Sequence, residues 1–400
     1  METPESTSKF ICPHVYHSLT IQPNGYVKPC CELRTDHEIG HRISKNDKFN
    51  DPIEVTKSDE WNQIEQTLRS NVKHSACSTC WNKEKEGIQS LRQIGLFNLG
   101  PIDEIEKDIR FLDLKLGNLC NLKCRMCSPL NSSQLYKEID NNMDTIADPY
   151  TLDAYKKAKR HLERDYKWWL DDKFYNWVRM KLPTLKKIKF TGGEPTIIPQ
   201  VLQLVDHMVD EGFSDKINFT MVTNATAKNS KLWKNISKFK QHHISVSMDG
   251  VGDTYDYVRY PHKWNAFNEV LNMIKEKSRN NAYITPCISS YNVFNSLEIL
   301  KFIQESKCYP KGYIPMILVD EPEMLDIRNI PEHIKQPLIE KLKNYNFKDE
   351  VFSKAVNYVI TRLRQRSNPE LFKQFIDHRK TIDKIRNQDF RKLIPEFKDV

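Results

Sequence analysis

Apolar and polar positions alternate over several short stretches of this chain, and the alternation becomes regular from about residue 109. Leu112, Leu114 and Leu116 oppose Asp113 and Lys115, while Ile244, Val246 and Met248 oppose Ser245, Ser247 and Asp249. A period of two places such sets on opposite faces of a strand. Extended runs are predicted at 109–116, 188–191, 217–222, 244–248, 283–288 and 313–319. Helical periodicity fills most of the gaps, at 201–209, 232–239, 267–277 and 297–305. Strands alternating with helices call for a parallel sheet. A closed parallel barrel buries both strand faces and reads as continuous apolar runs. Here one face must be wet, which predicts an α/β fold built as a partial six-stranded barrel with a polar interior, open to a cofactor and a substrate.

The flanks read differently. Residues 1–105 are loops and short elements punctuated by cysteines, with Pro23-Asn24-Gly25 as a turn between extended runs at 19–22 and 26–29. A helix around 61–68 divides this unit, and the polar stretch 98–107 reads as a linker. Residues 140–183 form a helical insertion whose Trp168, Trp169 and Trp177 are assigned to packing. Beyond the core, helices are expected at 334–342, 351–364 and 371–386, the last opened by Asn368 as N-cap and Pro369 at the first position. The resulting plan is a Cys-rich unit at 1–105, a core at 106–322 and a helical region at 323–400.

With 39% hydrophobic residues in 400, an integral membrane protein is excluded, and the polar start METPESTSKF lacks the pattern of a secretory signal. The expectation is a cytoplasmic protein. Ten cysteines in such a chain point to metal or redox chemistry rather than disulfides. Eight lie between Cys12 and Cys127; Cys287 and Cys308 are expected to be ordinary thiols. The net charge of +8 is concentrated at 341–400, where 15 Lys or Arg face 8 Asp or Glu. Such a run ordinarily forms a solvated face, with nucleic acid or an acidic partner as the functional alternative.

Cys120-Asn-Leu-Lys-Cys124-Arg-Met-Cys127 follows the first core strand in a loop opened by Gly117. Three thiolates can reach one centre there, and no fourth lies nearby. On a four-iron cluster, three cysteine ligands leave one iron open to bind another molecule. Zinc would ask for four closed ligands, and no histidine lies between His74 and His161.

This Cx3Cx2C loop after strand one resembles the radical S-adenosylmethionine superfamily. Strand two ends in Thr191-Gly192-Gly193-Glu194-Pro195, similar to the family's GGEP motif. The resemblance implies that Gly192, Gly193 and Glu194 meet the amino group of S-adenosylmethionine, a role that suits close backbone approach and a carboxylate partner. Thr223-Asn224 resembles the family's TN turn, and Ser247-Met-Asp249-Gly250 its SxDG segment, with Arg259 following. By that resemblance Ser247 and Arg259 contact the cofactor's hydroxyl and carboxylate groups. Taken singly, such residues after a strand are more often turn chemistry.

A second group comprises Cys12, the pair Cys30-Cys31 and Cys77-Ser-Thr-Cys80. Four thiolates can close one centre, and only one of Cys30 and Cys31 should ligate, because neighbours in an extended segment point oppositely. The group is similar to SPASM or twitch modules that hold an auxiliary 4Fe-4S cluster, although those usually follow the core. Its order resembles phage and marine bacterial twitch-type proteins. A zinc ribbon needs the same four thiolates. His14, His17 and His41 receive no role. The resemblance implies an oxidoreductase that takes an electron from an external donor, cleaves S-adenosylmethionine to a 5'-deoxyadenosyl radical and acts on a peptide or protein. The competing expectation is a zinc-stabilised binding protein whose basic tail grips nucleic acid.

Overall fold

In the computed structural model, residues 9–34, 42–45, 48–85, 87, 89–99, 107–163 and 167–398 are described. Most of the expected linker and His41 lie outside them. The described strands are β1 (Ser18–Ile21), β2 (Val27–Lys28), β3 (Ser44–Lys45), β4 (Lys48–Phe49), β5 (Phe111–Leu114), β6 (Lys187–Phe190), β7 (Asn218–Thr223), β8 (His242–Ser247), β9 (Ala282–Thr285), β10 (Cys287–Ile288) and β11 (Ile317–Leu318). The chain divides into two compact units, one from segments 1–118, 162–221 and 234–242, the other from 119–161, 222–233 and 243–400.

In the first unit the strand order is β2, β1, β5, β6, β7. β1 and β2 form an antiparallel hairpin around the Pro-Asn-Gly turn, where Gly25 takes a left-handed φ of 83°. β1 then runs parallel to β5, with Ser18 opposite Phe111 and Ile21 opposite Leu114. The Cys-rich segment therefore donates two strands to the sheet. The physical reason is that Leu19 and Ile21 are fully buried beside Leu112 and Leu114. β5, β6 and β7 continue in parallel. The helix Pro199–Asp210 joins the last two and buries Val201, Leu204, Val205 and Met208. Phe190, Phe219 and Phe239 pack in series at tilted angles, their ring centres 5.9 and 4.8 Å apart in turn. The helix Asp59–Arg69, capped by Ser58, buries Trp61, whose indole donates to Val15 O at 3.0 Å.

In the second unit β8 and β9 pair in parallel from Ile244 opposite Ala282 to Ser247 opposite Thr285. The expected strand at 283–288 is broken at Pro286, which has no N–H to give the ladder, and resumes as β10 beside the short β11. The helices Trp264–Lys277, Ser296–Ser306, Glu332–Lys343, Glu350–Leu363 and Pro369–Arg386 match the expected periodicity. Asn368 caps the last by accepting from Glu370 N and Leu371 N. Among the described residues no helix is long and apolar enough to cross a membrane.

Candidate functional site

The first unit gathers the N-terminal thiols. Cys77 closes the single turn Ser75–Cys77, and Cys80 lies one turn on in the helix Ser78–Lys85, so both face one way. Together with Cys12 and Cys30 they line one cavity, beside Trp81 and Arg92. Burial raises the Cys12 thiol, and Cys77 and Cys80 add to the rise by like-charge repulsion. The same causes, burial first, push Cys77 up to about 12, and burial with the Glu32 charge pushes Cys80 up to about 11. Four thiols in one such cavity cannot ionise together unless a strongly cationic group sits among them, which is the donor chemistry of an iron-sulfur cluster. Among the described residues no three His, Cys, Asp or Glu side chains are drawn together as a site for a single ion. Cys31 is exposed and outside the cavity, so of the adjacent pair Cys30 faces the other three.

Arg92, which the sequence reading missed, ties this group together. Its guanidinium forks onto Glu84 at 2.9 and 3.0 Å, donates to Ile11 O at 3.1 Å and lies 5.4 Å from the Trp81 ring centre. It thus joins the residue before Cys12 to the helix carrying Cys80. His14 is a satisfied core histidine, 2.8 Å from Ser18 Oγ, and burial lowers it to about 4.

The glycine turn after β6 also belongs to the first unit. Gly192 has φ 70°, and a Cβ there would stand 2.8 Å from Lys115 Cβ, so a side chain is excluded by conformation and by space. Glu194 is 1% exposed and caps the turn Pro195–Ile197, its Oε1 accepting from Thr196 N at 3.1 Å and Thr196 Oγ1 at 2.5 Å.

In the second unit the cysteine loop is pinned at several points. Lys123 N donates to Tyr260 O, Arg125 N to Val258 O and Cys120 N to Ser133 Oγ, while Ser132 Oγ donates to Leu122 O. Burial pushes Cys124 up to about 11 against the opposing charge of Arg259, and burial with Cys124 and Cys120 raises Cys127 further. Asn224 Nδ2 stands 3.8 Å from Cys120 Sγ and donates to Asn121 Oδ1 at 2.9 Å; Thr223 Oγ1 accepts from Ala225 N at 3.1 Å. Arg259 Nη1 pairs with Asp249 Oδ2 at 2.9 Å, yet its buried Nε has no hydrogen-bond partner. That orphaned donor, within electrostatic reach of Cys124, fits an anionic group beside the cysteine loop. Ser247 is half-buried at the end of β8. Cys287, expected to stand alone, instead gives its N–H to Asp249 Oδ1 at 2.9 Å and shares its surroundings with Arg259 and Cys124.

The helix Pro369–Arg386 reaches the same loop. Arg125, between Cys124 and Cys127, donates to Asp383 at 2.6 Å and Gln388 at 2.7 Å, with its guanidinium carbon 3.6 Å from the Tyr257 ring centre. Arg386 meets Glu138 at 2.7 Å and Lys123 O at 2.7 Å. His378, Arg379, Asp383 and Arg386 are buried, so part of the basic stretch faces inward where a solvated face was expected. Charge paired across elements this far apart in sequence leaves no local pattern to read.

Residues 114–303 match the family model described as the Radical SAM superfamily, and residues 12–81 match an iron-sulfur cluster-binding domain, SPASM. The tungsten-containing aldehyde ferredoxin oxidoreductase cofactor-modifying protein of Pyrococcus furiosus is 26% identical over 155 residues, 38% of this chain and 35% of that protein. The GTP 3',8-cyclase of Syntrophomonas wolfei subsp. wolfei is 22% identical over 210 residues, 52% of this chain and 55% of that one. The chain thus spans about a third to a half of the length of these relatives. Among solved structures, Streptococcus suis SuiB bound to S-adenosylmethionine gives a TM-score of 0.38 at 14% identity, covering 81% of this chain and 65% of that one. Native anSMEcpe with bound AdoMet gives 0.34 at 15%, covering 58% and 61%.

Proposed function

From a chain that carries a Radical SAM domain and a SPASM iron-sulfur domain, we propose an enzyme that cleaves S-adenosylmethionine reductively and modifies a peptide or protein. The two domains bring a 4Fe-4S cluster with S-adenosylmethionine and an auxiliary iron-sulfur cluster. When bound, the first cluster supplies the electron that breaks the sulfonium bond and yields the 5'-deoxyadenosyl radical. In this reading Cys120, Cys124 and Cys127 hold that cluster, and Cys12, Cys30, Cys77 and Cys80 hold the other. Arg259 offers its Nε to the cofactor carboxylate while Asp249 keeps the guanidinium in place. Asn224 fixes the loop at Cys120, and Ser247 at the end of β8 faces a cofactor hydroxyl. Gly192 and Gly193 keep the turn open to the cofactor's ammonium, and Glu194 is its counter-ion. The observation that carries the proposal is the set of three mutually repelling thiols in one loop, Cys120 buried and Cys124 and Cys127 partly so, beside the unpaired Nε of Arg259.

In this reading the enzyme works in the cytoplasm with an external electron donor, a compartment that ten cysteines without a disulfide framework suit. Exposed Lys380 and Lys384 offer an acidic partner a basic contact. Anaerobic purification with iron and sulfide is the test: about eight iron per chain and deoxyadenosine formed in dithionite are expected. A colourless zinc protein overturns the reading. Glu194→Ala is expected to weaken S-adenosylmethionine binding about tenfold to a hundredfold with iron content intact, since a charge-assisted hydrogen bond contributes roughly 1.5–3 kcal/mol. Calorimetry on the reconstituted protein checks it, and unchanged affinity removes Glu194 from the cofactor site.

A further inference from the structure

The polar face of the first unit's sheet carries an imbalance of charge. Register places Thr20, Asp113, Lys189 and Thr220 in one row across β1, β5, β6 and β7, and Ser18, Phe111, Lys187 and Asn218 in the row beside it. Strand alternation turns both rows to the same face. Both oxygens of Asp113 are engaged: one accepts from Lys189 Nζ at 3.0 Å and the other from Thr191 Oγ1 at 3.0 Å. Lys115 Nζ donates to the neutral Gln22 Oε1 at 2.9 Å. Lys187 is half-buried and pairs with no carboxylate among the described residues; its Nζ lies 5.0 Å from the Phe111 ring centre. Burial, with the repulsion of Lys189, holds the Lys187 ammonium below its usual range. Lys187 therefore shares this face with Lys189, while Asp113 is already engaged by Lys189 and Thr191, and Glu32, whose charge reaches Lys189, is bound by Lys83 at 2.6 Å. In the same row as Lys187, Asn218 Oδ1 is buried without a hydrogen-bond partner.

We propose that this face docks an acidic residue of the substrate peptide, its carboxylate paired with Lys187 and a backbone N–H of the same peptide donated to Asn218 Oδ1. This rests on the peptide reading given above and narrows it to acidic sequences. An ammonium left without a counter-ion in a partly desolvated place is stabilised by an anion far more than one on the surface, and an orphaned acceptor beside it fits a main-chain amide. Neither demand is met among the described residues of the unit.

The test uses the reconstituted holoenzyme with S-adenosylmethionine and three acetylated, amidated pentapeptides that differ only in a central Glu, Gln or Lys. Binding is read by equilibrium dialysis at low salt, without reductant. The Glu peptide is expected to bind about tenfold tighter than the Gln peptide, in keeping with a charge-assisted contact. Lys187→Gln is expected to erase that preference with iron content unchanged, and Lys187→Glu to shift it to the Lys peptide. No preference in the unaltered enzyme, or a preference that survives Lys187→Gln, overturns the proposal. So does a Lys187→Gln variant whose only change is the auxiliary cluster's potential, because the ammonium then balances cluster charge alone. Deoxyadenosine formation on the same preparations reports on the radical chemistry separately. Its absence beside an intact Glu preference sinks that reading and supports this site.

Discussion

Cys124→Ala is expected to abolish 5'-deoxyadenosine formation in dithionite, while Cys77→Ala removes about half of the iron and leaves that formation running. The loop provides three thiols; losing Cys124 leaves two, too few to hold a cluster with one open iron. Cys77 belongs to a different group, walled by Cys12, Cys30, Cys80 and Arg92 within the first unit. Its loss leaves the Cys124 loop and its anchors at Tyr260, Val258 and Ser133 untouched. Some instability is expected in Cys77→Ala, because the cavity it lines is held from outside chiefly by Arg92. Iron content and deoxyadenosine yield, measured together, separate the two groups. Deoxyadenosine formed at the normal rate by Cys124→Ala would overturn the assignment of the loop.

The sheet was legible wherever side chains alternate. Ile244, Val246 and Met248 against Ser245 and Ser247 mark β8 without help from elsewhere, because period two is a local property. The partner of β1 was not legible. Ser18 pairs with Phe111 far along the chain, and four residues alternating as Ser-Leu-Thr-Ile say nothing about which edge they will join. Pro286 shows the reverse case: the missing N–H that splits β9 from β10 was in the sequence but was outweighed by the β-branched run around it.

The site divides in the same way. Cysteine spacing and the two glycines are local, and they brought out both thiol groups and the turn after β6. Alternation also foretold that Cys30 and Cys31 part company; choosing between them took the cavity, since Cys30 lines it and Cys31 is exposed. Arg92, Arg125 and Asp383 carried no signal. Each gains its meaning from a partner on another element, and a single arginine in a loop is by default a surface residue.

The second large effect is expected at Arg386. Its guanidinium is 1% exposed and meets Glu138, itself 5% exposed, while its Nη2 also binds Lys123 O next to Cys124. Arg386→Met leaves Glu138 with Lys123 at 3.1 Å, a half-exposed partner in place of a buried fork. Removing one member of a buried pair costs about 3–5 kcal/mol, because the other charge stays desolvated. For a unit of this size that corresponds to a melting temperature lower by roughly 10 °C. The loop should loosen with it, so the iron bound by Cys120, Cys124 and Cys127 is lost while the iron of the N-terminal group stays. Glu138→Gln placed on Arg386→Met removes the stranded charge and is expected to recover most of the melting temperature. Lys335→Met supplies the control. Lys335 is fully buried and bonds Arg328 O and Gln365 O, so its loss should lower melting by a similar amount and leave the loop's iron in place. Calorimetric melting with iron analysis on the three variants tells a specific clamp from general destabilisation. If Arg386→Met and Lys335→Met lose iron alike, the C-terminal helix supports the fold and has no particular hold on the cysteine loop.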